Sequence, residues 1–319
     1  MCGNIDYTGM CFSEELSSIV NQASEVADTR PVVSCCFSPN DEFIATASWS
    51  GHAKIWNTDL TVKNSFLAHD DRLTSIAWHP RFDSSVSEGS TVQLATGAVD
   101  TTARLWTLQG KHVGTLQGHT QRLARIAMHP LGSYLGTCSF DRTWRLWDLT
   151  TEKCLLEQEG HSRPVYCLAF QCDGSLAVSG GLDGYARVWD LRTGRSLTVL
   201  KGHAKSILAV DFSSNGYMIG TGSEDHTCRV YDLRKKETLA VLPGHTSLIS
   251  QVRFDKNGQN CLLTSGYDNV SKIWCGRKLK LVKTLAGHDG KVMGSDISNS
   301  LYKIATVGYD RTIKLWYRD

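Results

Sequence analysis

A unit of about 42 residues recurs along the 319-residue chain and limits the folds open to it more than any other feature. Each complete unit carries a histidine, usually after Gly, then an apolar run, a loop, a run of small residues, a turn Asp and a run closing on an aromatic. The closing aromatics are Trp56, Trp106, Trp147, Trp189, Tyr231, Trp274 and Trp316, at steps of 50, 41, 42, 42, 43 and 42. His69, His119, His161, His203, His245 and His288 keep the same step, 50, 42, 42, 42 and 43. The long first step comes from a polar insertion, Arg81 to Thr91, between the first and second strands of the second unit. A short unit of this kind cannot bury its apolar face alone, so neighbours must stack to make a continuous core.

The pattern resembles the WD40 family, whose repeat is one four-stranded blade of a propeller. The resemblance implies an all-β chain, a seven-bladed WD40 β-propeller over 28–319. Alternation within the runs agrees: in ARVWD, Val188 lies between Arg187 and Trp189, which share the opposite face. Only three residues follow Trp316, so the fourth strand of the last blade is expected from 1–27, between Glu15 and Val26. An open ring would leave a bare strand edge.

Fixed offsets align a hydroxyl, an Asp and an aromatic: Thr96-Asp100-Trp106, Thr137-Asp141-Trp147, Ser179-Asp183-Trp189, Thr221-Asp225-Tyr231, Thr264-Asp268-Trp274 and Thr306-Asp310-Trp316. With the histidines these mimic Ser-His-Asp catalysis. An enzyme needs one nucleophile beside one base, and a set repeated around a ring serves no such purpose. In the WD40 family such residues form buried hydrogen-bond tetrads, which the resemblance implies here. The first unit departs from the pattern, with Asp28 for His and Ser50 for Asp, so an incomplete network is expected there. The basic residues four after each turn position (Lys54, Arg104, Arg145, Arg187, Arg229, Lys272 and Lys314) belong to the template and read as stems covering strand surface.

No phosphate-binding loop, HExxH or paired-carboxylate signature is present, so no enzymatic role, cofactor, metal or small-molecule substrate is expected. The net charge of +2 gives no strong pull toward nucleic acid or membrane, and no apolar run is long enough to span a bilayer. Eleven cysteines without CxxC or Cys/His metal spacing read as reduced, buried thiols of an intracellular protein.

Function must come from positions the template leaves free, the loop ends of the ring. The residue before each turn position is Trp49, Val99, Phe140, Leu182, Glu224, Tyr267 or Tyr309, four of them aromatic where turns are ordinarily polar. Arg30, Arg72, Arg122, Arg163, Lys205 and Lys291 follow the histidine positions, and Arg142 and Arg311 follow their turn Asp. Trp49, Phe140, Tyr267 and Tyr309 are therefore candidate partner anchors, with Arg72, Arg122, Arg142, Arg163 and Arg311 as charge partners. Aromatic and Arg residues serve protein hot spots and RNA contacts alike, and composition does not separate the two. The plainer alternative pairs the arginines with loop carboxylates and uses the aromatics to plug the channel mouth.

A closer resemblance narrows the biology. RPVVSCCFSPNDEFIATASWSGHAKIW, SFDRTWRLWDL, EGHSRPVYCLAF, GGLDGYARVWDLRTGR and TLAGHDGKVMGSDIS are similar to the WD40 subunit of the U4/U6 small nuclear ribonucleoprotein, the pre-mRNA-processing factor four type. This implies a nuclear, non-enzymatic scaffold of the U4/U6 and U4/U6·U5 particles, holding other splicing factors near U4/U6 snRNA, which it contacts directly or indirectly. That family carries a longer region before its propeller, so its cyclophilin-binding segment is not carried over to this chain. The competing reading is a WD40 adaptor in signalling or ubiquitin ligation.

Overall fold

The computed structural model describes residues 16–82, 91–276, 279–300 and 303–318. Among the described residues, twenty-eight strands form seven four-stranded antiparallel sheets. Six sheets are continuous in sequence, the first from Val32–Phe37 at the inside to Val62–Leu67 at the outside. Each innermost strand packs on the next, and Val32–Phe37 meets Val292–Ile297, so the ring is closed. The predicted seven-bladed propeller is the observed fold. Residues 83–90, most of the insertion in blade two, lie outside the described residues.

The seventh sheet joins Val292–Ile297, Lys303–Gly308 and Thr312–Tyr317 to Val20–Val26 from the other end of the chain. That outer strand pairs antiparallel with Thr312–Tyr317, from Val20 opposite Tyr317 to Val26 opposite Thr312. Its own side chains are mostly exposed, which accounts for the poor alternation of LSSIVNQASEV. Just before it, Leu16 and Ile19 are buried against Leu263, Ile273, Leu285 and Trp316. Closure therefore rests on the backbone ladder of one strand and on two aliphatic side chains beside it.

Blades approach closely because the second strands are built of small residues: FIATAS, LATGA, YLGTCS, LAVSGG, MIGTGS, LLTSG and KIATVG. A Cβ at Gly222 would stand 2.6 Å from Ile249 Cγ2 of the next blade, closer than carbon atoms can pack. Apolar residues of the neighbouring first strand fill the space the small residues leave, giving a chain of linked inter-blade cores.

Every first strand carries a register shift against its neighbour at the same place, Val32/Ser34 in blade one through Val292/Gly294 in blade seven. A bulge re-aims the extra residue, here Val33, Thr74, Ala124, Tyr166, Leu208, Ser250 or Met293. All seven line a cavity of about 200 Å³ at the mouth of the central channel, on the face of the histidine loops. Residues farther along the same strands line a second chamber of about 500 Å³.

The thiol reading needs two corrections. Cys261 and Cys275 form a disulfide with Cα atoms 4.4 Å apart. The pairing of Leu262 with Trp274 sets these cysteines side by side on adjacent strands, a proximity hidden by a separation of 14 residues. Cys154 and Cys172 are exposed, whereas Cys35, Cys36, Cys138, Cys167 and Cys228 are buried free thiols. Cys2 and Cys11 lie outside the described residues.

Candidate functional site

The histidine networks are the scaffold on which the candidate surface stands. Nδ1 of His69, His119, His161, His203, His245 and His288 lies 2.6 to 3.0 Å from Asp100, Asp141, Asp183, Asp225, Asp268 and Asp310. A carboxylate only accepts, so Nδ1 carries the proton and Nε2 accepts from the hydroxyl of Thr96, Thr137, Ser179, Thr221, Thr264 or Thr306 at 2.7 to 2.9 Å. Those hydroxyls in turn accept the indole N–H of Trp106, Trp147, Trp189, Trp274 and Trp316 at 2.8 to 2.9 Å. Tyr231 breaks the rule: its longer reach takes its hydroxyl to the Lys201 carbonyl at 3.2 Å.

The six hydroxyls are buried and already committed, which leaves no free nucleophile in the set. In blade one Ser50 donates to Asp28 at 2.6 Å, and Trp56 to Thr46 at 2.9 Å. The two halves are not joined, because the Asp28 side chain spans less than an imidazole.

Burial pushes the tetrad carboxyls up, but their hydrogen bonds pull harder in the opposite direction. The His69, Thr102 and Thr227 donors among them hold Asp100 and Asp225 at about 2. Asp141 and Asp310 are driven lower still, and Asp183 and Asp268 are also lowered. A depressed carboxyl contributes stability that is present above the unfolded carboxylate value of about 4 and is lost as pH falls toward the folded value. Melting followed by circular dichroism should therefore show no loss from pH 7 to 5 and fall steeply between about pH 4 and 2. A melting temperature unchanged at pH 2.5 would contradict the networks.

Above this scaffold the turns are set by one repeated backbone bond. The N–H of the residue before each turn position donates to a carbonyl just before the first strand: Trp49 to Pro31, Val99 to Arg72, Phe140 to Arg122, Leu182 to Pro164, Glu224 to Ser206, Tyr267 to Leu248 and Tyr309 to Lys291. This ties each turn residue to the histidine-position loop of its own blade. Arg122 lies 3.9 Å from the Phe140 ring, while Arg72 and Lys291 reach the rings of adjacent blades, 5.3 Å from Trp49 and 4.9 Å from Tyr267.

Trp49, Phe140, Tyr267, Arg72 and Arg122 all line the channel mouth. Tyr309, half exposed, stands edge-on to Trp49 at 5.9 Å. Arg142, Arg163 and Arg311 are exposed and do not line the mouth. Among the described residues none of the five candidate arginines forms an ion pair, so the alternative in which they pair with loop carboxylates finds no support there.

The residue after each turn position has positive φ in all seven blades: Gly51, Thr101, Arg142, Gly184, His226, Asn269 and Arg311. Arg142 at 72° and Arg311 at 67° hold a conformation that suits Gly or Asn.

The channel residues were missed by the sequence reading. Arg125 crosses the channel from blade three to blade six, donating to Gln251 Oε1 and, at 2.9 Å, to the Ser250 carbonyl. It borders both chambers. Below it Arg253 lies 3.9 Å from Asp211 and 3.5 Å from Asp296. Burial lifts Asp211 to about 6, against the pull of Arg253 and the Phe254 N–H. Those three stand at the fifth position of their strands, where blades two to four have Ala77, Ala127 and Ala169, and that contrast was available as a signal.

Fold and networks together define a WD40-repeat β-propeller. Residues 31–317 match the family model described as the first β-propeller of IFT122, and the chain belongs to that β-propeller family. Over 313 residues, 95% of the chain, it is 42% identical to the U4/U6 small nuclear ribonucleoprotein PRP4 of Saccharomyces cerevisiae, covering 66% of that protein. A PRP4-like protein of Arabidopsis thaliana is 54% identical over 55 residues, 17% of this chain and 10% of its own. An uncharacterized WD repeat-containing protein of Schizosaccharomyces pombe is 42% identical over 135 residues, 42% of this chain and 29% of its own. Each match spans less than two thirds of the relative. The resemblance to the WD40 subunit of the U4/U6 particle thus extends along nearly the whole chain.

Proposed function

We propose that this propeller is a non-enzymatic scaffold of the U4/U6 and U4/U6·U5 small nuclear ribonucleoproteins, holding other splicing factors near snRNA in the nucleus. The reading is carried by the similarity to a U4/U6 protein along 95% of the chain. The histidine-loop face is its assembly surface, a reading supported by five arginines that, among the described residues, have no carboxylate partner and stand around aromatic turns. No small-molecule substrate or membrane is part of the role. Purification of the tagged chain from nuclear extract, with sequencing of the bound RNA, tests it: U4 and U6 should be enriched over U1. Recovery of signalling or ubiquitin-ligase components without U4 and U6 would contradict it.

The strained arginines allow binding to be separated from folding. Arg142→Gly and Arg311→Gly should melt at or above the parent temperature, because relief of about 1 kcal/mol of left-handed strain offsets the added flexibility of glycine. The same variants should recover less U4/U6 RNA. A clear fall in melting temperature would mean that these side chains stabilise the turn.

A further inference from the structure

The channel mouth on the histidine-loop face has a composition that the rim alone does not explain. Three guanidinium groups border it, Arg72 and Arg122 at the lip and Arg125 at the floor, and no carboxylate does. Arg72 and Arg122 lie over rings and, among the described residues, their side chains donate no hydrogen bond, so the N–H edges are unspent. Arg125 is held by two neutral oxygens, and among the described residues no carboxylate lies within ion-pair distance. Arg72 and Arg122 are exposed and Arg125 is half-buried, and a cleft lined by one sign of charge focuses a field that draws an anion into it. Between them the wall is apolar, with Val33, Leu208, Leu248 and Met293.

From this we infer that the mouth is a socket for one carboxylate-bearing side chain of an acidic peptide, its apolar stem along the aliphatic wall and its carboxylate on the arginines. The inference rests on the assembly-surface reading for its choice of face and adds the chemistry of the partner. A volume of about 200 Å³ suits a single side chain and is below the roughly 300–1,000 Å³ of small-molecule sites. Peptide is favoured over RNA for two reasons. Trp49, Phe140 and Tyr267 each already carry a cation over the ring, which leaves less open ring face for bases to stack on. A backbone phosphate is flanked by sugars on both sides and cannot descend to Arg125, whereas a glutamate ends in its charge.

Fluorescein-labelled hexaglutamate and hexauridylate, titrated into the full chain by fluorescence anisotropy, test the socket. Hexaglutamate should bind, and Arg125→Gln and Arg122→Gln should each weaken it at least tenfold. Arg192→Gln, which removes the same charge from the opposite face, should change it less than twofold. If Arg125→Gln does not fold, the Arg72→Gln, Arg122→Gln pair should give the loss instead. Equal weakening by all variants, or no hexaglutamate binding, overturns the socket. Tighter hexauridylate binding with the same pattern of losses overturns the choice of peptide. Loss of U4/U6 recovery on Arg142→Glu with full recovery on Arg122→Gln removes the socket and leaves the rim standing.

Discussion

Deletion of residues 1–27 is expected to leave a chain that aggregates or melts far below the parent. The outer strand Val20–Val26 covers the edge of Thr312–Tyr317, and its loss exposes a six-residue row of unpaired backbone groups. Leu16 and Ile19 go with it, and burial of two such side chains contributes about 3–6 kcal/mol. Set against a total stability of about 5–15 kcal/mol, that is a large share. Ile19→Ala isolates the packing from the ladder and should by itself cost about 2–5 kcal/mol. A truncated chain that stays monomeric with unchanged melting would show that the ring closes without this strand.

The second large effect is expected at Asp183→Ala. Its carboxylate accepts from His161 at 3.0 Å, from the Ser162 N–H at 3.1 Å and from the Tyr185 N–H at 3.2 Å. Alanine strands these donors, one of them a buried imidazole whose other nitrogen is tied to Ser179 and, through it, to Trp189. The expected cost is about 3 kcal/mol. Ser50→Ala, at the equivalent place in blade one, should cost less than about 1 kcal/mol, because Asp28 keeps the Thr29 N–H and no link to Thr46 is broken. Denaturant unfolding of the two variants separates these cases, and equal losses would mean that blade one is held by a network of equal depth.

Blade number and strand order were legible because the constraint repeats. The step between Trp106 and Trp316 is nearly constant, so each blade checks the others. His, hydroxyl, Asp and Trp sit at fixed offsets from the same turn, and an antiparallel register converts fixed offsets into fixed distances. What depends on three-dimensional convergence was not legible. Arg125 meets Gln251 over a separation of 126 residues, and nothing in either strand marks the partner. The bulge that turns Tyr166 and Ser250 into the mouth leaves no trace in apolar alternation. The cations on Trp49 and Tyr267 come from neighbouring blades, so the rim read as two independent sets of residues where the fold makes stacked pairs. Only Tyr309 among the four aromatic candidates presents a largely open ring.

On the proposed function, the histidine-loop face assembles the chain into the U4/U6 particle while the strands below only hold that face in place. A single variant, Tyr309→Ala with Arg142→Glu, changes two exposed positions on that face and none in the tetrads. Exposed substitutions ordinarily move stability by about 0.5 kcal/mol or less, and loss of an interface anchor costs about 2 kcal/mol or more of binding. Melting should therefore stay near that of the parent while recovery of splicing factors and of U4 and U6 RNA from nuclear extract falls sharply. Full recovery with normal melting would move the interface off this face, to the opposite rim of the ring.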